Sequence, residues 1–166
     1  MENYNWSKFT QRIAINAPTE EIYNYWTIQE NIEKWFLRLG EFSDSENAVR
    51  EQNIPVEEND HYRWMWHGYP DEVVETGTIL KANGHDLFQF TFADKCIVTV
   101  KIETESGQNI VTLTQENIPT DEFSKVQFHL GCSNGWTIYL ANLKSILEGG
   151  IDLRNKDLSL TQVINA

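Results

Sequence analysis

Polar and apolar residues alternate from Lys8 to Ile15, with Phe9, Ile13 and Ile15 on one face and Lys8, Thr10 and Arg12 on the other. That period of two predicts a half-buried strand. Pro18 and the acids Glu20 and Glu21 then suit a first helical turn, where proline needs no partner and negative charge meets the helix dipole. A short helix follows, carrying Ile22, Tyr23, Tyr25 and Trp26, and a second from Asn31 to Phe36 is expected to end near Gly40. Beyond Phe42 the period returns to two, predicting strands around His61–His67, Val73–Ala82, Leu87–Phe92, Cys96–Glu103 and Asn109–Glu116. Turn-forming stretches such as Gly68-Tyr69-Pro70-Asp71 and Ala82-Asn83-Gly84-His85 separate most of them, as an antiparallel meander requires. The acidic stretch Ser43–Asp60, which contains Pro55, holds at most one weak edge strand.

After Asn117-Ile118-Pro119 the period becomes helical. His129, Cys132, Trp136, Leu140, Leu143 and Leu147 recur three or four apart between Glu122 and Leu147, and Gly149-Gly150 stops the run. One long amphipathic helix must bury its stripe against the antiparallel sheet, which is an α+β arrangement. The tail Ile151–Ala166 has no strong period and reads as a loose or docked arm.

Composition narrows the function classes. The 166 residues fit one domain and need no staple, and 40% hydrophobic content with six Trp, six Tyr and eight Phe argues for a packed globule. Acids outnumber bases 25 to 13, for a net charge of -12, which disfavours nucleic acid and anionic membrane surfaces. The start MENYNWSKFT has neither the basic nor the apolar region of a secretory signal, and no apolar run could span a bilayer, so a cytoplasmic protein is expected. Cys96 and Cys132 lack metal-type spacing and read as two free, buried thiols.

The segments Ile15–Tyr23, Ile32–Phe36, Gly77–Leu80 leading to Leu87–Phe90, Gly135-Trp136 with Tyr139-Leu140 and Asn142–Lys144, and Leu147–Gly150 carry a resemblance in their order and spacing. The chain resembles the helix-grip fold of the START/SRPBCC superfamily, and most of all its activator of heat-shock-protein-90 ATPase homologue family. The resemblance implies a curved antiparallel sheet wrapped around a long C-terminal helix, two short helices between the first two strands, a START-like domain over 1–150 and a tail or docked arm over 151–166. It also implies a cavity between sheet and helix that in many relatives holds an apolar or aromatic small molecule. It does not imply a reaction, because fold does not decide function.

In the strand His61–His67, alternation turns Tyr62, Trp64 and Trp66 inward and His61, Arg63, Met65 and His67 outward, while Phe88, Phe90 and Phe92 form a second aromatic face. So many large rings are hard to interdigitate without voids, so they fit either a core or the lining of a pocket. Trp35, Trp64, Trp66, Phe88, Phe90, His129 and Cys132 are the expected lining. His129 could orient a ligand's polar group or be satisfied by a backbone carbonyl, and Cys132, among aromatic rings, should have a raised pKa and behave as a small hydrophobe. Gly135 reads as the point where the helix backbone approaches the sheet, and Trp136, Leu140, Leu143 and Leu147 as core.

No catalytic residues, metal ligands or cofactor are assigned: no nucleophile elbow, phosphate loop or clustered His/Cys set is present. The expected function is binding of a small hydrophobic ligand. The alternatives are a co-chaperone-like module that stimulates an ATPase in a stress response, with a chaperone as partner, and a cyclase- or hydrolase-like enzyme using the same cavity. The exposed edge strand and the C-terminal arm could make a homodimer, although no strong patch stands out.

Overall fold

The computed structural model describes residues 4–160 and 163–164. The chain order is β1 (Lys8–Ile15), α1 (Thr19–Thr27), α2 (Gln29–Trp35), β2 (Leu39–Ser43), β3 (His61–Met65), β4 (Glu75–Ala82), β5 (Leu87–Phe92), β6 (Cys96–Glu105) and β7 (Gln108–Glu116). A helical stretch closes the fold: a single turn α3 (Glu122–Ser124), a π-helical segment Lys125–Gly131, and α4 (Cys132–Leu147). The seven strands form one antiparallel sheet in the order β1-β7-β6-β5-β4-β3-β2, so β2 to β7 meander between neighbours and β1 joins the far edge on β7. This is the helix-grip architecture.

Curvature is built into β4, whose register with β5 shifts between Ile79 and Lys81. One strand-turn earlier lies Gly77, directly opposite Tyr62. A Cβ there would stand 2.5 Å from the Tyr62 hydroxyl. The ring therefore crosses bare backbone, and its hydroxyl donates to the Thr91 carbonyl at 2.6 Å, tying β3 to β5 over the strand between them.

Three local expectations are corrected. Pro18 is the cap before α1, with extended ψ 146, rather than part of its first turn. The second helix stops at Trp35, not near Gly40; Gly40 belongs to β2 opposite Trp64, where a Cβ would meet Ile32 Cγ2 at 2.7 Å, so the glycine lets the strand lie against α2. The C-terminal helix is not uniformly α-helical. Over Lys125–Gly131 it widens, and carbonyls there take side-chain partners: Gln115 Nε2 on β7 donates to the Phe128 carbonyl at 3.3 Å, and Cys132 Sγ lies 3.7 Å from the Gln127 carbonyl.

Both flanks of the chain are fixed to this frame. On the N-terminal side, His129 Nδ1 donates to the Trp6 carbonyl at 2.9 Å and Nε2 pairs with the Tyr4 hydroxyl at 2.8 Å. Beyond α4, the Arg154 side chain is 2% exposed and donates to the carbonyls of Glu33, Lys34 and Leu37 at 2.8–3.0 Å, the free acceptors at the end of α2. Asp152 pairs with the same guanidinium, and Asn142 of α4 donates to the Trp35 carbonyl and accepts from the Leu153 N–H.

Candidate functional site

The aromatic interior divides into two sectors. In the first, rings cover one another: Trp26 meets Trp35 edge-on at 4.6 Å, Tyr62 stacks on Trp64 at 3.8 Å, and Phe90 sits 5.1 Å from Trp64 and 5.2 Å from Phe88. These side chains are buried. Trp35 Nε1 donates to the Tyr25 carbonyl at 2.8 Å, whereas the buried Nε1 atoms of Trp26 and Trp64 have no partner among the described residues.

The second sector is a cleft of about 260 Å³ at the open end of the grip. Phe36, Phe92 and Trp136 make its floor. Trp66, Tyr69 and Val73 stand on one side, contributed by the end of β3 and the loop before β4, and Gln127, Gly131, Cys132, Gly135 and Tyr139 stand on the other, along the π-helical segment and α4. Its floor is held from below. Phe36 packs 5.0 Å from Trp136 and 4.8 Å from Tyr139, and Trp136 Nε1 donates to Gln115 Oε1 at 3.0 Å, so one buried amide holds both the floor and the π-helical segment. A larger groove between Pro18 and Lys34 is lined by Glu20, Glu21, Asn24 and other polar groups; the apolar cleft is the better candidate because apolar walls supply most of the affinity in small-molecule sites.

The helix wall of the cleft is bare. A Cβ on Gly135 would meet nothing within 4 Å, and one on Gly131 would meet only the Val126 carbonyl, at 3.4 Å. Gly135 therefore does not bring helix and sheet together, as its sequence context suggested; its missing side chain leaves open space beside Trp136. A helical glycine costs about 1 kcal/mol relative to alanine, and here no close packing offsets it.

Of the seven residues expected from the sequence, Trp66 and Cys132 line this cleft. Trp35, Trp64, Phe88 and Phe90 lie in the packed sector, 0–1% exposed. His129 is 1% exposed but engaged by Tyr4 and Trp6, with Phe9 a further edge-on neighbour at 5.4 Å. The lining also takes in Phe36, Tyr69, Val73, Phe92, Gln127, Gly131, Gly135 and Tyr139, which the sequence pattern does not mark as lining, and Trp136, which it marks as core. Phe92 could have been found by extending the Phe88–Phe90 alternation, and the two glycines by their spacing of four on a helix.

Burial pushes the Cys132 thiol up to about 11, against a smaller opposing effect of the Gln115 amide, so it is a neutral wall group at ordinary pH. Burial likewise holds the Tyr139 phenol well above its usual value. Glu75 lies outside the lining; burial raises its carboxyl, and Oε1 accepts from the Ala93 N–H at 2.8 Å, in a turn where Ala93 and Asp94 have φ of 49° and 71°. Among the described residues no three His, Cys, Asp or Glu side chains gather as a metal would require, and no helix is long and apolar enough to cross a membrane.

Solved structures share the fold. A protein from Staphylococcus saprophyticus is similar with a TM-score of 0.68 and 19% identity, over 89% of this chain and 96% of its own. The Aha1 dimer from Colwellia psychrerythraea gives 0.63 and 19%, over 86% and 97%. DynU16, a putative protein in the dynemicin biosynthetic locus, gives 0.63 and 16%, over 86% of this chain and 47% of its own. No curated protein matches the sequence. The profile of the family described as Activator of Hsp90 ATPase homolog 1-like protein matches residues 16–148, most of the chain, and the protein belongs to that family.

Proposed function

We propose that the protein binds a small hydrophobic or aromatic molecule in the cleft between the open end of the sheet and the C-terminal helix. The observation that carries this reading is the bare helix wall: Gly131 and Gly135 lie one helical turn apart and face a floor of three aromatic rings. A guest there would cover apolar surface on Phe36, Phe92 and Trp136, gaining about 25 cal/mol per Å² removed from water. Trp66 and Cys132 would bound it at the sides.

Titrating the protein with a panel of small aromatic compounds tests the reading through tryptophan fluorescence, because Trp66 and Trp136 both line the cleft. Saturable quenching or a spectral shift by at least one class is expected. A signal that stays flat for all of them, in a folded protein, would overturn it.

A further inference from the structure

Trp66, Tyr69, Gln127 and Tyr139 bring side-chain polar groups to the cleft that no other described residue bonds, and of the four only Tyr139 is a buried residue. Tyr139 is 7% exposed and packs edge-on against Phe36, yet its hydroxyl has no hydrogen-bond partner among the described residues. The two other buried tyrosines are bonded: Tyr23 accepts from the Gly84 N–H at 2.9 Å, and Tyr62 donates to Thr91. The hydroxyl is not sealed in, since the sealed side-chain atoms without a partner among the described residues are the Trp26 and Trp64 indole nitrogens; it opens into the cleft, where a guest's acceptor can bond it.

The surroundings narrow what that something is. None of the cleft's lining residues is charged. A carboxylate entering it would give up its hydration with no cation in the walls, since Arg154, the cation that acts on the Tyr139 phenol, already pairs with Asp152, and the protein carries a net charge of -12. Burial keeps the Tyr139 phenol protonated, so it offers an O–H. Tyr69, on the opposite wall, is the phenol that acts most strongly on it electrostatically.

Resting on the cleft being a binding site, we infer that Tyr139 is its specificity-determining donor and that the ligand is an uncharged aromatic molecule presenting an acceptor oxygen, such as a ketone or ester carbonyl. The rings set affinity and the Tyr139 hydroxyl sets orientation, excluding hydrocarbons of the same shape only by the worth of one neutral hydrogen bond.

The test uses 1-tetralone and tetralin, the same two-ring frame with and without a carbonyl, together with methyl 1-naphthoate and 1-naphthoate. Wild-type protein is expected to bind tetralone about three- to tenfold more tightly than tetralin, and the methyl ester more tightly than the free acid. Tyr139→Phe loses no protein contact, so its melting temperature should match the wild type. It should bring tetralone down to the affinity of tetralin while leaving tetralin unchanged. Equal affinity for the two in wild type, a preference that survives in Tyr139→Phe, or tighter binding of the free acid would overturn the assignment but leave the cleft as a binding site. Absence of binding by all four probes would overturn both.

Discussion

The packed and open sectors of the interior are built from the same residue types, and even from the same strands. Phe88 and Phe90 belong to the first, while Phe92, next on the same face of β5, belongs to the second. The difference lies in what stands opposite. Trp64 is covered by Tyr62, Phe36 and Phe90, each within 5.5 Å, whereas the rings of Phe92 and Trp136 adjoin a helix face made of Gly131, Cys132 and Gly135. Alternation decides which face of a strand is aromatic. The facing element decides whether that face is filled.

This contrast is sharpest in truncations. Trp64→Ala should destabilise the protein by about 3–5 kcal/mol in chemical denaturation, because it removes a fully buried indole and leaves a cavity inside the packed sector. Trp66→Ala, at the half-buried rim, should cost less than about half as much; equal costs would erase the distinction between the sectors. Arg154→Ala should cost about 2–4 kcal/mol, since it leaves Asp152 and three carbonyls at the end of α2 without their donor. A loss within experimental error would mean the tail is not part of the folded unit.

The open wall makes the opposite kind of prediction. Gly135→Ala should raise stability by up to about 1 kcal/mol, as alanine is the better helix former and its methyl group meets no atom. Gly135→Leu should fold as well as wild type but fill the cleft and weaken binding of tetralone at least about tenfold. If Gly135→Ala destabilises the protein, the glycine serves packing after all.

Smaller effects concern charge. His67 has its pKa lowered by burial and by Arg154, Lys156 and Arg38, while Asp152, although burial opposes it, is held well below the usual carboxylate range by hydrogen bonds from Arg154 and Lys156. For both groups the unfolded chain binds more protons as pH falls. The stability they contribute is therefore present above their ordinary values, 6.5 and 3.8, and is lost on acidification through each. Melting temperatures measured from pH 8 to pH 3 should fall, and His67→Gln should flatten the decline near pH 6. Glu75 works the other way: its raised pKa means the ionised form is disfavoured by folding, so Glu75→Gln, which keeps an acceptor for the Ala93 N–H, should slightly raise the melting temperature at pH 7.

Much of the fold was legible because periodicity is local. The limits of β1 and β5 coincide with their alternating runs, and the long helical stretch ends where Gly149-Gly150 said it would. The short strand β2 was not legible, since Leu39–Ser43 is set by pairing with β3 and by the fit of Gly40 against Ile32. Nor was the π-helical segment, which depends on Gln115 reaching across from β7 to the Phe128 carbonyl. The site was legible in kind but not in place. Trp66 and Cys132 could be read as lining from their faces, but Tyr69 and Val73 come from an irregular loop, and Tyr139 differs from a core tyrosine only in lacking a partner for its hydroxyl.

The central claim is that the glycine-walled cleft, and not another surface, receives the guest. It is tested most directly by following backbone amide chemical shifts while 1-tetralone is added. Saturable shifts clustered at Trp66–Val73, Phe92 and Gln127–Tyr139 are expected. Shifts confined to the groove between Pro18 and Lys34, or scattered without saturation, would contradict it.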